Sequence, residues 1–328
     1  MQALMSAAAY ERVKDRIAPF AGDLEIVTIT GKDSFELNGR PIEKEGVDPH
    51  IVWPTLDAYA AGLFGTMIGR ALGGANAKWM QTFNAGLDAP IFKDVMAKGI
   101  RISKSNAQAV PIAEYVVGQA ISLILPIDQQ RELQASKTWK STPYREVSQT
   151  RWVLVGYGSI GHEITRRIKP FGVHLTVVRR NLADDDLADA VIGLDRLHDV
   201  LPQADVVALA PALTDETRDM CDAAFFRAMK PGAILINIGR GGLVDEDALK
   251  VGLETDQPAH AVLDVFQTEP LPADHWIWSH PKVRVTAHTS NSGHGTAGRG
   301  DDLFVANLER FLKGQPLINE ASPREVGL

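Results

Sequence analysis

The chain has 328 residues, with 34 Lys and Arg against 41 Asp and Glu, and its length exceeds one comfortable core, so two domains are the default. A net charge of −7 leaves no basic footprint for nucleic acid. The single cysteine, Cys221, excludes an internal disulfide and a Cys-based zinc cluster and fits a buried, inert thiol in a reducing cytoplasm, while no apolar run is long enough to span a membrane and no basic leader opens the chain.

In chain order, residues 1–10 run on into Glu11, Arg12, Lys14, Asp15 and Arg16 and read as a surface helix. Residues 24–30, 50–53, 79–83 and 100–103 read as strands, with helical stretches around 56–72 and 90–98 between them. That alternation predicts a parallel, doubly wound sheet. Residues 111–127 read as a long helix with Pro111 in its first turn, and 129–150 as a polar, irregular stretch. The apolar run Trp152-Val153-Leu154-Val155 then reads as a buried strand. Gly156-Tyr157-Gly158-Ser159-Ile160-Gly161 follows it, then a helix through 163–168 and a strand over 173–178. Further strands are expected at 206–210, 233–237, 259–264 and 283–286. The last helix, 301–312, stops at Gly314 with Pro316 beyond.

Strand, G-x-G-x-x-G, helix, strand is the order in which this glycine spacing points to a dinucleotide. Gly156 permits the tight turn, Gly158 lets backbone approach a pyrophosphate, and Gly161 lets helix and strand pack closely. The helix start offers N–H groups to phosphate. An acid normally ends the second strand and holds the adenosine ribose hydroxyls. Eighteen residues past Gly161 that place is taken by Arg179, followed by Arg180. Guanidinium groups pair with a 2′-phosphate, which favours NADP over NAD. Asp184, Asp185 and Asp186 would blunt that preference if their loop folds back. The alternative is a pair of solvated arginines at a strand end.

Three charged residues stand just past strands in the second half, where ligands of such sheets bind. Arg240 is flanked by glycines, and its fork of donors suits a carboxylate beside a carbonyl. Taken alone it also fits a solvated turn residue. Glu269 and His288 gain meaning as a pair, because a carboxylate beside an imidazole orients it and favours its protonated form, giving a proton donor or acceptor near neutral pH.

Asn237-x-Gly239-Arg240-Gly241-Gly242-Leu243-Val244-Asp245, Leu263-Asp264-Val265-Phe266 with Glu269-Pro270-Leu271-Pro272, and Thr286-Ala287-His288, taken with the glycine motif, resemble the D-isomer-specific 2-hydroxyacid dehydrogenases, including their NADP-preferring glyoxylate/hydroxypyruvate reductases. Order and spacing agree over nearly the whole chain. The resemblance implies an α/β protein of two Rossmann-like, doubly wound parallel-sheet domains with cofactor and substrate in a cleft between them. A discontinuous substrate domain would span 1–107 plus 300–328, and a dinucleotide domain 108–299. It implies His288 as general acid/base, Glu269 as its partner and Arg240 as anchor for carboxylate and carbonyl. Backbone N–H groups of Ala85, Gly86 and Leu87 would hold the substrate carboxylate. Ser159, Ile160, Ala210, Pro211, Thr217, Ile238 and Asp264 would join the glycines and arginines around NADP(H), with Asp264 on the nicotinamide side. The expected reaction is reduction of a 2-keto acid to the D-2-hydroxy acid, or its reverse, by hydride transfer in a cytoplasmic homodimer, with residues 111–150 as the dimer arm. No metal, nucleic acid or membrane partner is expected.

Ala287 departs from the family, which usually has Pro there. Glu269 separates the chain from formate dehydrogenases, which carry Gln, and its length leaves no room for the regulatory domains of large phosphoglycerate dehydrogenases. Two other readings on the same fold are a dinucleotide-sensing corepressor and a phosphite-type oxidoreductase. Trp53, Phe64, Trp276 and Trp278 are candidates for the substrate side-chain pocket.

Overall fold

Gln2–Ser6 is a strand, β1, and not the start of a surface helix. Ala3, Leu4 and Met5 are almost wholly buried. A central parallel strand is covered on both faces, so it lacks the alternation that marks a strand in sequence. The Ser6 hydroxyl accepts the Ala9 N–H at 3.0 Å and starts the helix Ala7–Ile17. The structure, a computed structural model, describes every residue except Asp184. Two units divide the chain: Met1–Gln108 with His294–Leu328, and Ala109–Gly293.

The first unit holds a seven-stranded sheet. Its strands are β1, β2 (Glu25–Gly31), β3 (Ser34–Leu37), β4 (Arg40–Ile42), β5 (Ile51–Trp53), β6 (Trp79–Gln81) and β7 (Arg101–Ser103). The order is β4-β3-β2-β1-β5-β6-β7. β2, β1, β5, β6 and β7 run parallel, whereas β3 and β4 form an antiparallel edge. Asn38 and Gly39, both at positive φ, make the hairpin turn, the residue pair such a turn favours. The expected helix over 56–72 breaks into Leu56–Ala60 and Phe64–Gly73, with Gly62 at φ +71° in the break.

The helix Gly295–Leu312 belongs to this unit. Phe304 stacks flat on Trp53 with ring centroids 3.9 Å apart, and Phe311 stacks on Trp79 at 5.3 Å. Asn307, fully buried, donates to Gln81 Oε1 at 2.9 Å and accepts the Ile318 N–H at 2.7 Å. Arg12 Nε donates to both Asp301 oxygens, at 3.2 and 2.9 Å.

The second unit has seven parallel strands: β8 (Arg151–Val155), β9 (His174–Val178), β10 (Ala190–Ile192), β11 (Val206–Leu209), β12 (Ile234–Asn237), β13 (His260–Leu263) and β14 (Val283–Val285). Their order, β10-β9-β8-β11-β12-β13-β14, reverses direction between β8 and β11. In a doubly wound sheet this switch point, at the carboxyl ends of the strands, is where ligands bind. The helix Ala109–Ile124 leads in, and a second helix, Ile127–Ala135, occupies part of the stretch expected to be irregular. Cys221 is buried, and burial pushes its thiol well up.

Candidate active site

The glycine turn lies at the switch point, directly after β8. Gly156 has φ +91°, and a Cβ there would sit 2.6 Å from the backbone of Ala210 and Pro211. A Cβ on Gly161 would meet the Gly156 carbonyl oxygen at 2.6 Å. These two glycines are needed by the protein itself. Gly158 is different: a Cβ there meets nothing within 4 Å. Gly158 is also the N-cap of the helix Ser159–Ile168 and supplies no side-chain cap. By contrast, the helices Ala223–Ala228 and Glu246–Glu254 are capped by the Asp222 and Asp245 carboxylates. An uncapped helix start beneath open space is a place for phosphate.

Arg179 follows β9. Its guanidinium lies over the Tyr157 ring, 5.0 Å from the centroid. Nη2 donates to the Ala183 carbonyl, while Nε is buried without a hydrogen-bond partner among the described residues. Arg180 is exposed. The loop after them does fold back. Asp184 lies outside the described residues, but Asp185 Oδ1 accepts the Tyr157 hydroxyl at 2.9 Å, and its Oδ2 lies 3.9 Å from Arg179 Nη1.

Arg240, Asp264, Glu269 and His288 follow three adjacent parallel strands, β12, β13 and β14. His288 Nδ1 lies 2.8 Å from Glu269 Oε2. A carboxylate only accepts, so Nδ1 donates and Nε2 is the nitrogen left for a substrate. The other Glu269 oxygen accepts the Phe266 N–H at 3.0 Å, which fixes the carboxylate from behind. His288 has φ +54°, rare for a side chain of this size. Its N–H is bound by the Asp264 carbonyl at 2.9 Å. The Asp264 carboxylate, 1% exposed, secures the rest of that turn. Its Oδ1 accepts the Thr286 hydroxyl at 2.6 Å and the Thr289 N–H at 2.8 Å, and its Oδ2 accepts the Ser290 N–H at 3.1 Å. Since Thr286 donates to Asp264, the Tyr115 hydroxyl, 2.8 Å away, donates to Thr286. Burial pushes the Tyr115 phenol up, which keeps it protonated for that role. Thr286 belongs to the Thr286-Ala287-His288 motif, but nothing in the sequence pairs it with Tyr115, because their meeting depends on the packing of a helix against a strand end.

Arg240 Nη1 donates to the Gly239 carbonyl at 2.9 Å, and Asn237 Nδ2 holds the Arg240 carbonyl at 2.9 Å. Gly241 is packed so tightly that a Cβ would fall 1.8 Å from the Phe266 carbonyl carbon. The loop bearing Arg240 therefore abuts the backbone that holds Glu269. Ile238 is buried beside it, its N–H on the Leu209 carbonyl at 3.2 Å. The Thr217 hydroxyl is engaged within its own loop, donating to the Ala212 carbonyl at 2.8 Å and accepting the Thr214 N–H at 2.8 Å.

In the first unit, the turn after β6 is held by Asn84, whose carbonyl accepts the Ser105 N–H at 2.9 Å. With its amide oriented to donate to the Phe83 carbonyl at 2.8 Å, Gln108 accepts the Ala85 N–H at 3.2 Å. Ala85 thus has a protein partner already. The Gly86 and Leu87 N–H groups donate to no acceptor among the described residues. Trp53 is a core residue, stacked on Phe304. Phe64 packs edge-on against Phe83, centroids 6.0 Å apart. Trp278 is exposed, and Trp276 lies under Lys250, 5.6 Å from Nζ to the ring centroid.

Residues 117–290 match the family model of the D-isomer specific 2-hydroxyacid dehydrogenase, NAD binding domain. A human glyoxylate reductase/hydroxypyruvate reductase is 28% identical over 254 residues, 75% of this chain and 77% of that one. Among solved structures, a D-isomer specific 2-hydroxyacid dehydrogenase family protein from Aeromonas salmonicida superposes with a TM-score of 0.79 at 30% identity, covering 98% of both chains. A D-isomer specific 2-hydroxyacid dehydrogenase from Xanthobacter autotrophicus Py2, in complex with NADPH and MES, shares the fold with a TM-score of 0.79 at 22% identity, over 99% of this chain and 98% of that one.

Proposed function

The chain belongs to the D-isomer specific 2-hydroxyacid dehydrogenase family and is an NAD(P)-dependent oxidoreductase, and from that premise we propose that it reduces a small 2-keto acid to the D-2-hydroxy acid with NADPH as the preferred donor. The observation that carries the proton-transfer half is the His288–Glu269 pair, 2.8 Å apart, on a turn locked by Asp264. A bound nicotinamide supplies the two electrons and the hydrogen that reach the keto carbon. His288 Nε2 gives the carbonyl oxygen its proton, and Glu269 holds the ring in the tautomer and orientation that make this possible. Arg240 anchors the substrate carboxylate and steadies charge on the carbonyl oxygen. In the first unit, the N–H groups of Gly86 and Leu87 suit a carboxylate. Asp264 acts first by holding the turn that carries His288.

Open space at Gly158, the uncapped start of the helix Ser159–Ile168 and an Arg179 Nε that has no partner among the described residues fit a phosphorylated dinucleotide. Arg179 stands where an acid would otherwise accept the ribose hydroxyls, and this supports NADPH over NADH. A homodimer completes the reading. The helix Ile127–Ala135 buries none of its residues, and Trp139 and Tyr144 beyond it are exposed.

The test is a panel of glyoxylate, hydroxypyruvate and phenylpyruvate, with each cofactor, on the natural protein and on His288→Ala. Turnover should fall about a hundredfold or more in the variant. Near-normal turnover removes His288 from the chemistry. No reduction of any keto acid by the natural protein removes the substrate assignment.

A further inference from the structure

The loop after β9 brings a carboxylate back to a strand end that has an arginine in place of an acid. Asp185 Oδ1 is committed, accepting the Tyr157 hydroxyl at 2.9 Å and the Leu187 N–H at 3.0 Å. Its Oδ2 faces Arg179 Nη1 at 3.9 Å and His162 Nε2 at 4.0 Å. Both separations exceed a hydrogen bond, so Oδ2 is an acceptor fixed in place with no donor bound to it among the described residues. On the facing side chain, Arg179 Nε is a buried donor with no acceptor among the described residues. We propose that Asp185 takes over the role of the missing strand-end acid, accepting the ribose hydroxyls of an unphosphorylated cofactor, and that the same carboxylate opposes the 2′-phosphate of the phosphorylated one. The ratio of NADPH to NADH affinity is then set by Asp185 against Arg179.

This rests on the adenosine end of the cofactor lying at the end of β9. The chemistry of the two ligands differs at one group. A ribose 2′-hydroxyl is a donor and takes Oδ2. A 2′-phosphate is an acceptor bearing charge, takes the guanidinium, and must tolerate Oδ2 nearby. The Arg179 and Asp185 side chains are 17% and 13% exposed, so the opposition of charges is not fully screened. Tyr157, between the first two glycines of the turn, ties the two together, its ring under Arg179 and its hydroxyl on Asp185. Burial and the Asp185 carboxylate push that hydroxyl up to about 12, so it remains a donor. Burial works against the charge on Asp185, but the Leu187 N–H, Tyr157, His162 and Arg179 together hold its carboxyl below the usual range.

Calorimetric titration of the cofactor-free protein with NADPH and with NADH tests this without turnover. Asp185→Asn should tighten NADPH roughly tenfold and weaken NADH several-fold. Both affinities moving the same way, or neither moving, overturns the proposal. Tyr157→Phe keeps the ring and the charge but frees the carboxylate, and should weaken NADH alone. If it weakens both cofactors equally, the coupling is overturned, and this variant serves where Asp185→Asn fails to fold. Arg179→Ala separates the proposal from its premise. It should weaken NADPH and leave NADH nearly unchanged, and if NADPH binding is untouched, the adenosine end lies elsewhere.

Discussion

Two glycines two positions apart do opposite work. Gly156 is required by the fold, at φ +91° against the Ala210–Pro211 backbone, whereas a Cβ on Gly158 meets no more distant part of the described residues within 4 Å. Gly156→Ala should therefore cost a few kcal/mol of stability. Gly158→Ala should leave the unfolding midpoint nearly unchanged yet weaken dinucleotide binding about tenfold or more. Thermal melts and cofactor titrations on the two variants check both halves, and a large stability loss in Gly158→Ala would assign that glycine to packing. Glycine spacing, Arg240, Glu269 and His288 are readable in sequence because their meaning depends on short distances along the chain from a strand end. Asp185 is readable only as one of three nearby acids, since which of them meets Arg179 depends on how a loop returns. Asp264 is half readable. Its place after β13 is plain, but its engagement by Thr286, Thr289 and Ser290 depends on the neighbouring strand end.

Strands in the second unit are tied at their amino ends as well as at the ligand end. Asp205, just before β11, accepts the Arg151 N–H of β8 at 2.7 Å and pairs with Lys230 at 2.6 Å and with Arg145. Burial opposes its charge, but Lys230, the Arg151 N–H and Arg145 outweigh burial and hold its carboxyl below the ordinary range. A depressed folded value means the contribution is present above the unfolded carboxylate value, about 4, and is lost as pH falls through the folded value. Asp205→Asn should cost about 1–2 kcal/mol near neutral pH, a difference that closes in acid once the natural residue is protonated. Urea unfolding of both proteins at the two pH values measures it, and a gap that persists in acid would place the effect outside the ion pairs. At this scale several local patterns are ambiguous in the sequence. β1 is apolar on both faces and lacks alternation. The β3–β4 hairpin had a signal, Asn38-Gly39, that its weak flanking strands obscured. The break at Gly62 was hidden by apolar spacing that continues through it.

The expected homodimer makes a prediction about the whole molecule. Trp139 and Tyr144 are large exposed rings beyond a helix that buries nothing, the kind of surface that subunit association covers. Sedimentation should give twice the chain mass, and Trp139→Asp should shift the equilibrium toward the single chain. A monomer in the natural protein at micromolar concentration would remove the dimer. The helix Gly295–Leu312 has a consequence of another kind. The chain leaves its first sheet after Gln108 and returns at His294, and only then do Phe304 and Phe311 reach Trp53 and Trp79. During synthesis the inserted unit is complete in sequence while the first still lacks part of its core. With domains folding as units while the ribosome adds roughly 5–20 residues each second, the later-encoded unit can finish folding first. The sheet made earliest waits several seconds or more with its tryptophans uncovered, and that nascent state is where a chaperone would find this chain.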